Sequence, residues 1–214
     1  MSLLRFYLML LLAVTCSVQA SHANDTTYAE QRLLVLGDSL AAGYGLTADE
    51  AFPAQLERAL QQAGHKVSVI NAGVSGDTSA GGLARLEWAL ADAPQLVIVE
   101  LGGNDALRGL PPQETFANLD AIIERIRGAG IHVILAGMLA PRNLGEHYTA
   151  EFDRLYPELA QKHKVSFYPF FLDGVALNPA LNQADGIHPN ASGVALIVSR
   201  ILPLVKSVLG VIPE

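Results

Sequence analysis

Cysteine is almost absent from this 214-residue chain, which contains one, Cys16. A single thiol cannot form an internal disulfide, so packing has to stabilise the fold. Charged residues are also scarce at 16%, and neither Lys nor Arg forms a run or a stripe. The formal net charge of −7 would repel phosphate backbones, which argues against nucleic acid as a partner. A hydrophobic fraction of 50% instead predicts one compact domain with a sizeable core.

The N-terminal segment has the layout of a secretory signal peptide. Arg5 precedes an apolar run over residues 6–14, and small residues follow, with cleavage sites after Ala20 and Ala23. The apolar run is short for a spanning helix. We therefore expect a signal peptide over residues 1–20, a loose lead-in over 21–31 and one domain over 32–214. The mature protein is expected to be periplasmic or secreted, without stable membrane insertion.

Short apolar runs alternate with longer amphipathic segments along the rest of the chain. Five runs are typical of strands buried on both faces, at residues 33–36, 67–70, 96–101, 131–136 and 165–168. Helices are predicted near residues 50–63, 80–92, 113–128, 147–162 and 191–209, with apolar residues spaced by three and four. This alternation predicts an α/β fold of three layers, α/β/α, around a five-stranded, flavodoxin-like, doubly wound parallel sheet.

Unusual polar residues follow the predicted strands, where ligands bind in sheets of this kind. Ser39 closes a Gly-Asp-Ser motif after the first strand, Gly76 follows the second, and Asn104 follows the third in Gly-Gly-Asn-Asp. A serine at a strand-to-helix turn can be a nucleophile. The N–H of Gly76 and the side-chain amide of Asn104 can donate to an oxyanion. Taken singly, each motif could equally be a turn or a helix cap.

A candidate base for the serine lies near the C-terminus, in Asp185-Gly186-Ile187-His188-Pro189. A serine hydroxyl needs a base, and the base needs a group that holds its other ring nitrogen. Asp185 and His188 supply both from one turn, in which Gly186 permits a bend and Pro189 favours an extended backbone at His188. The other histidines have no comparable surroundings, so His188 is the candidate base.

Together these motifs resemble, in order and spacing, the four blocks of the SGNH (GDSL) hydrolases. The stretches 75–79, 82–86, 100–105 and 184–189 narrow the resemblance to the periplasmic branch of acyl-CoA thioesterases, arylesterases and lysophospholipases. The similarity extends from about Arg32 to the end of the chain. The resemblance implies a serine hydrolase that cleaves carboxylic ester and thioester bonds through an acyl-enzyme.

The resemblance also implies a role for each motif residue. Ser39 would be the nucleophile, His188 the base and acid, and Asp185 the residue that orients His188. The oxyanion hole would comprise the N–H groups of Ser39 and Gly76 and the side chain of Asn104. Neither a metal nor another cofactor is implied, the partner is a small acyl ester or thioester, and a monomer is expected.

Apolar loop residues could line a groove for an acyl chain, since each buried methylene contributes about 0.8 kcal/mol. The candidates follow the third and fourth strands: Leu107, Leu110, Met138 and Leu139. A carbohydrate deacetylase with the same catalytic set is the alternative. Such an enzyme is expected to expose more aromatic rings for stacking on sugars, whereas the one tryptophan, Trp88, falls within a predicted helix.

Two further classes are open on the residues alone. A metal-dependent phosphoesterase could use oxygen and nitrogen ligands from facing loops, namely Asp38, Asp77, Asp105, Asp185 and His188. The absence of tight ligand spacing and of cationic neighbours argues against it. A non-enzymatic binding module is the other possibility, because a fold alone fixes no activity.

Overall fold

The computed structural model describes residues 30–212, so the predicted signal peptide and most of the predicted lead-in lie outside the described residues. Within that range a five-stranded parallel sheet has the order β2-β1-β3-β4-β5. Its strands are β1 Gln31–Gly37, β2 Val67–Gly73, β3 Leu96–Glu100, β4 His132–Ala136 and β5 Ser166–Tyr168. This is the flavodoxin-like, doubly wound order, and the predicted fold class is confirmed.

The helices flank the sheet on both sides. Over the described residues they are α1 Ser39–Ala42, α2 Phe52–Gln62, α3 Ser79–Ala84, α4 Leu86–Ala89, α5 Gly103–Leu107, α6 Pro112–Gly128, α7 Glu146–His163 and α8 Ala191–Leu209. Helices α2 and α8 pack against each other, whereas α3 and α7 both pack against α6. Right-handed crossovers in this strand order place α2 on one face of the sheet, where α8 packs beside it, and α3, α6 and α7 on the opposite face.

Helix α8 is long and apolar enough to cross a membrane by length and composition alone. Its apolar residues recur at spacings of three and four, however, and that side of the helix is buried against α2 and β5. This is the pattern of a core helix in a globular domain.

The register of the central strands determines where the functional loops lie. Gly37, the last residue of β1, pairs with Gly73 in β2 and with Glu100 in β3. The loops that follow these three strands therefore leave the sheet at the same edge. The four residues from Leu33 to Leu36 are fully buried, as the uninterrupted apolar run predicts for a strand covered on both faces.

The structure differs from the predicted elements mainly between residues 80 and 92. The expected single helix is divided into α3, α4 and a 3-10 turn, Leu90–Asp92. The break falls at Arg85, whose φ of −104° and ψ of 6° leave the helical region and whose side chain binds the carbonyls of Gly37 and Ala72 at the strand ends. Helices α1 and α5 have no counterpart among the predicted helices, since four or five residues are too few to show a helical period.

Candidate active site

Ser39 stands at the first position of α1, two residues after Gly37 at the end of β1. Gly37 permits this sharp transition because a Cβ there would lie 2.5 Å from Glu100 Oε2 and 2.6 Å from the Cβ of Ala41. Asp38 caps the helix, its Oδ1 accepting from the N–H of Leu40 at 2.9 Å. The turn therefore presents the Ser39 side chain at the carboxyl edge of the sheet.

The structure brings Ser39, His188 and Asp185 together in one hydrogen-bonded chain. His188 Nε2 lies 2.9 Å from Ser39 Oγ, and His188 Nδ1 lies 2.6 Å from Asp185 Oδ2. The carboxylate accepts the proton on Nδ1, which leaves Nε2 as the acceptor that faces the serine hydroxyl. The three side chains thus have the arrangement expected of a nucleophile, a base and a group that orients the base.

Asp185 is held in place by its own turn. Its Oδ1 accepts from the backbone N–H groups of Ile187 and His188, each at 3.0 Å, and Gly186 has a φ of +75°. The hydrogen bond from the His188 backbone, followed by that from its ring, lowers the pKa of Asp185 to about 2. The carboxylate is therefore ionised at any pH near neutrality.

Two neighbours outside the predicted site hold the His188 loop. The side-chain amide of Gln183 donates to the carbonyls of Tyr44 and Pro189, at 2.7 and 2.9 Å, and its backbone N–H donates to the His188 carbonyl. The ring of Tyr44 lies against the imidazole, with centroids 4.6 Å apart. No local motif marks either residue, because Tyr44 and Gln183 meet only through the tertiary fold.

The proposed oxyanion donors face the same cavity as the serine: Ser39, Gly76 and Asn104. Within residues 30–212, neither the N–H of Ser39 nor that of Gly76 has an acceptor in the protein. Asn104 Nδ2 donates to Asp38 Oδ2 and to the Asp77 carbonyl, both at 2.9 Å. Asn104 thus links the loops that follow β1 and β2.

The segment that carries Asn104 is held in place by contacts of its neighbours Asp105 and Gly102. Asp105 is buried and accepts from the N–H and hydroxyl of Ser79 and from the hydroxyl of Thr115. Gly102 has a φ of +105°, and a Cβ there would lie 2.2 Å from the hydroxyl of Tyr156. These contacts fix the start of α5 against α3, α6 and α7.

Two buried carboxyl groups lie beneath the serine turn. Glu100 Oε2 accepts from the N–H of Asp38 at 3.3 Å, and Oε1 has no hydrogen-bond partner among the described residues. Burial raises the pKa of Glu100 well above its ordinary value, with a further contribution from the nearby Asp38. Burial also raises the pKa of Asp38, to about 6.

A cavity of about 310 Å³ opens beside Ser39 and His188, and its wall is mostly apolar. Of the residues predicted to contact substrate, Leu107, Met138 and Leu139 line it, whereas Leu110 does not. The Leu110 carbonyl instead accepts from the Tyr148 hydroxyl, which turns this part of the loop toward α7. Other apolar residues that line the cavity carry no signal in the sequence, among them Tyr44, Pro141, Ala176 and Leu177.

The carboxylates that a metal-dependent phosphoesterase would need are engaged separately. Asp77 pairs with Arg85, Asp105 binds the Ser79 and Thr115 hydroxyls, and Asp185 binds His188. Over residues 30–212 no three His, Cys, Asp or Glu side chains form a group suited to a metal ion. The donor set therefore does not fit a metal site.

Comparison with known proteins identifies the family. Residues 35–196 match the GDSL-like lipase/acylhydrolase family. The chain is 42% identical to esterase TesA of Pseudomonas aeruginosa, over 85% of this chain and 90% of that protein. It is also 42% identical to the thioesterase 1/protease 1/lysophospholipase L1 of Escherichia coli, over 94% and 95% of the two chains. The crystal structure of AlinE4, an SGNH-hydrolase family esterase, superposes with a TM-score of 0.72 at 48% identity, covering 87% of this chain and 98% of that one. The chain belongs to the GDSL-like lipase/acylhydrolase family.

Proposed function

We propose that this protein is a serine hydrolase that cleaves carboxylic ester and thioester bonds through an acyl-enzyme on Ser39. The observation that carries the proposal is the hydrogen-bonded chain from Ser39 Oγ through His188 to Asp185, with distances of 2.9 and 2.6 Å. Ser39 and His188 line an apolar cavity, as an enzyme acting on acyl groups requires. The names of the relatives, which include esterase, thioesterase and lysophospholipase, support the same reaction class.

In the first half of the proposed reaction, Ser39 Oγ attacks the carbonyl carbon while His188 Nε2 takes the hydroxyl proton. Negative charge develops on the carbonyl oxygen and is stabilised by the free N–H groups of Ser39 and Gly76. Both amide hydrogens of Asn104 already have acceptors, so Asn104 must release or share one of them to become the third donor. His188 then gives its proton to the departing alcohol or thiol.

In the second half, water attacks the acyl-enzyme and His188 acts again, first as base and then as acid. The free acid leaves, and the Ser39 hydroxyl is restored. Asp185 stays ionised throughout because its pKa is about 2, so it stabilises the imidazolium that forms in each half. The first half ends with Ser39 as a neutral ester and the second with its free hydroxyl, and His188 is neutral again at the end of each half.

Ser39→Ala tests the nucleophile directly. The variant should lose nearly all turnover of an aryl ester, by a factor of roughly 10⁴ or more, since removal of a triad member leaves only binding and oxyanion stabilisation. A serine-directed organophosphonate should label the wild-type protein, and peptide mass mapping should place the label on Ser39 and not on Ser75, which lines the same cavity.

Ser199→Ala is the matched control, because Ser199 is an exposed serine of α8 whose hydroxyl only bonds the Leu196 carbonyl. It should keep wild-type turnover and labelling. Full activity in Ser39→Ala, or a label that survives in that variant, would rule out the serine mechanism. A metal-dependent enzyme or a binding module would not be labelled at all.

A further inference from the structure

Arg85 is a largely buried cation that the reaction scheme does not use. Its side chain is 17% exposed, and it forms a hydrogen bond from each of its three nitrogens to a different residue. Nε donates to Asp77 Oδ2 at 2.6 Å, Nη1 to the Ala72 carbonyl at 2.8 Å and Nη2 to the Gly37 carbonyl at 2.9 Å. The residue itself lies in the break between α3 and α4.

The three acceptors belong to the two segments that carry the proposed oxyanion donors Ser39 and Gly76. Gly37 ends β1 two residues before Ser39, and Ala72 lies near the end of the neighbouring strand β2. Asp77 directly follows Gly76. One planar guanidinium therefore joins the turn that carries the Ser39 N–H to the loop that carries the Gly76 N–H.

Asp77 is held at several points, which makes it a firm anchor for Gly76. Arg85 binds its carboxylate, and Asn104 donates to its carbonyl. The other carboxylate oxygen packs on the backbone of α3, because a Cβ at Gly81 would lie 2.0 Å from Asp77 Oδ1. A shift of the Asp77 side chain would thus be transmitted to the adjacent Gly76 peptide.

We infer that Arg85 is a positioning residue for this reaction, which holds the Ser39 and Gly76 N–H groups at the separation that a developing oxyanion requires. The inference rests on the proposed function. Guanidinium suits the task because its donors are fixed in one plane and stay charged, whereas a lysine ammonium is a single point at the end of a flexible stem. Oxyanion donors are effective only when they are fixed before charge develops.

Steady-state kinetics on an aryl ester distinguish this positioning role from a role in stabilising the fold alone. In Arg85→Lys and Arg85→Met, kcat should fall by roughly 10- to 100-fold while KM changes by less than about twofold, because donors that act on the transition state do not affect ground-state binding. Asp77→Asn, which keeps the shape and weakens the ion pair, should lower kcat in the same way. If the Arg85 variants do not fold, the kcat of Asp77→Asn tests the same role.

Chemical rescue gives a second readout that a structural role would not produce. Arg85→Ala should recover part of its kcat when millimolar methylguanidinium is added, and methylammonium at the same concentration should not restore it. Arg125→Met is the control, because Arg125 in α6 forms an exposed pair with Glu87, at 3.9 Å. This control variant should keep wild-type kcat and KM.

The outcomes distinguish this inference from the proposed function. Wild-type kcat in a folded Arg85→Met or Asp77→Asn variant, or a rise in KM alone, overturns the role of Arg85 while Ser39 remains essential. Activity that survives in Ser39→Ala overturns the proposed function itself, whatever the Arg85 variants do.

Discussion

Glu100 combines two properties that are costly in a folded protein. It is fully buried, and one of its carboxyl oxygens has no partner among the described residues. An ionised carboxylate in such a place is strongly disfavoured, and the neighbouring Asp38 adds repulsion. The neutral acid can still accept the Asp38 N–H through Oε2, so the residue supports the serine turn without carrying a charge.

Replacement of Glu100 by Gln should change how stability depends on pH. The folded wild type holds the Glu100 proton more tightly than the unfolded chain, whose carboxyl has its ordinary pKa of 4.5. Stability from this group is complete below pH 4.5 and declines as the pH rises toward the folded pKa, by up to about 1.4 kcal/mol per pH unit. The glutamine side chain of the variant does not titrate. In urea unfolding at pH 5, 6.5 and 8, the unfolding free energy of Glu100→Gln should therefore increase relative to that of the wild type as the pH rises.

Glu124→Gln on the exposed face of α6 is the matched control for the same chemical change. Its unfolding free energy should follow that of the wild type at all three pH values. Parallel pH curves for Glu100→Gln and the wild type would mean that Glu100 is ionised in the folded protein and is stabilised by a partner.

At the scale of elements, the junction between β2 and α1 leaves no room for a side chain. A Cβ at Gly73 would lie 2.2 Å from the Ala42 nitrogen and 2.8 Å from the Ala41 carbonyl carbon. Gly73→Ala must therefore push α1 away from the sheet, at a cost of about 1–3 kcal/mol, typical of an overpacked site. Because α1 carries Ser39, kcat should fall together with the melting temperature.

Gly128→Ala provides the control for this prediction. Gly128 is the last residue of α6, and a Cβ there would meet nothing within 4 Å. Unfolding free energy should stay the same or rise by about 0.5–1 kcal/mol, since alanine restricts the unfolded chain. If Gly73→Ala has the same unfolding free energy as Gly128→Ala, then α1 can move away from β2 without a loss of stability.

The elements that the sequence predicts well are those with a strong local pattern. The buried strand β1 contains an apolar run and the long helix α6 has apolar residues at spacings of three and four, whereas α5 is too short to show a pattern. The interruption at Arg85 was missed because its cause is non-local: the acceptors of its side chain belong to β1, β2 and the loop after β2. Periodicity cannot show a contact between distant segments.

The same distinction applies to the candidate site. Ser39, Asp185 and His188 belong to short motifs that can be recognised in the sequence, one after the first predicted strand and one in a turn near the C-terminus. Tyr44 and Gln183 carry no local signal, although a hydrogen bond spanning 139 residues links them beside His188. Motifs predict the candidate triad, whereas the contacts of Tyr44 and Gln183 with the His188 loop become apparent only in the fold.

Over residues 30–212, exposed apolar side chains are concentrated around one opening. Five of the eight large hydrophobic residues that are exposed in the described chain line the cavity beside Ser39: Tyr44, Leu107, Leu139, Leu177 and Ile187. Trp88, which is 74% exposed, lies on α4 and does not line it. A rim of this kind is typical of a site that binds an apolar ligand.

We therefore expect kcat/KM to rise from acetyl to medium-chain aryl esters. Each methylene that enters the apolar cavity should contribute up to about 0.8 kcal/mol, or about fourfold in kcat/KM, until the chain fills the cavity of about 310 Å³ or reaches solvent. Leu139→Ser should flatten this rise with little effect on the acetyl ester, whereas Trp88→Ser should leave the series unchanged. Rates that are highest for acetyl and decline with every added methylene would contradict the acyl-chain assignment and would point to a deacetylase that uses the same serine.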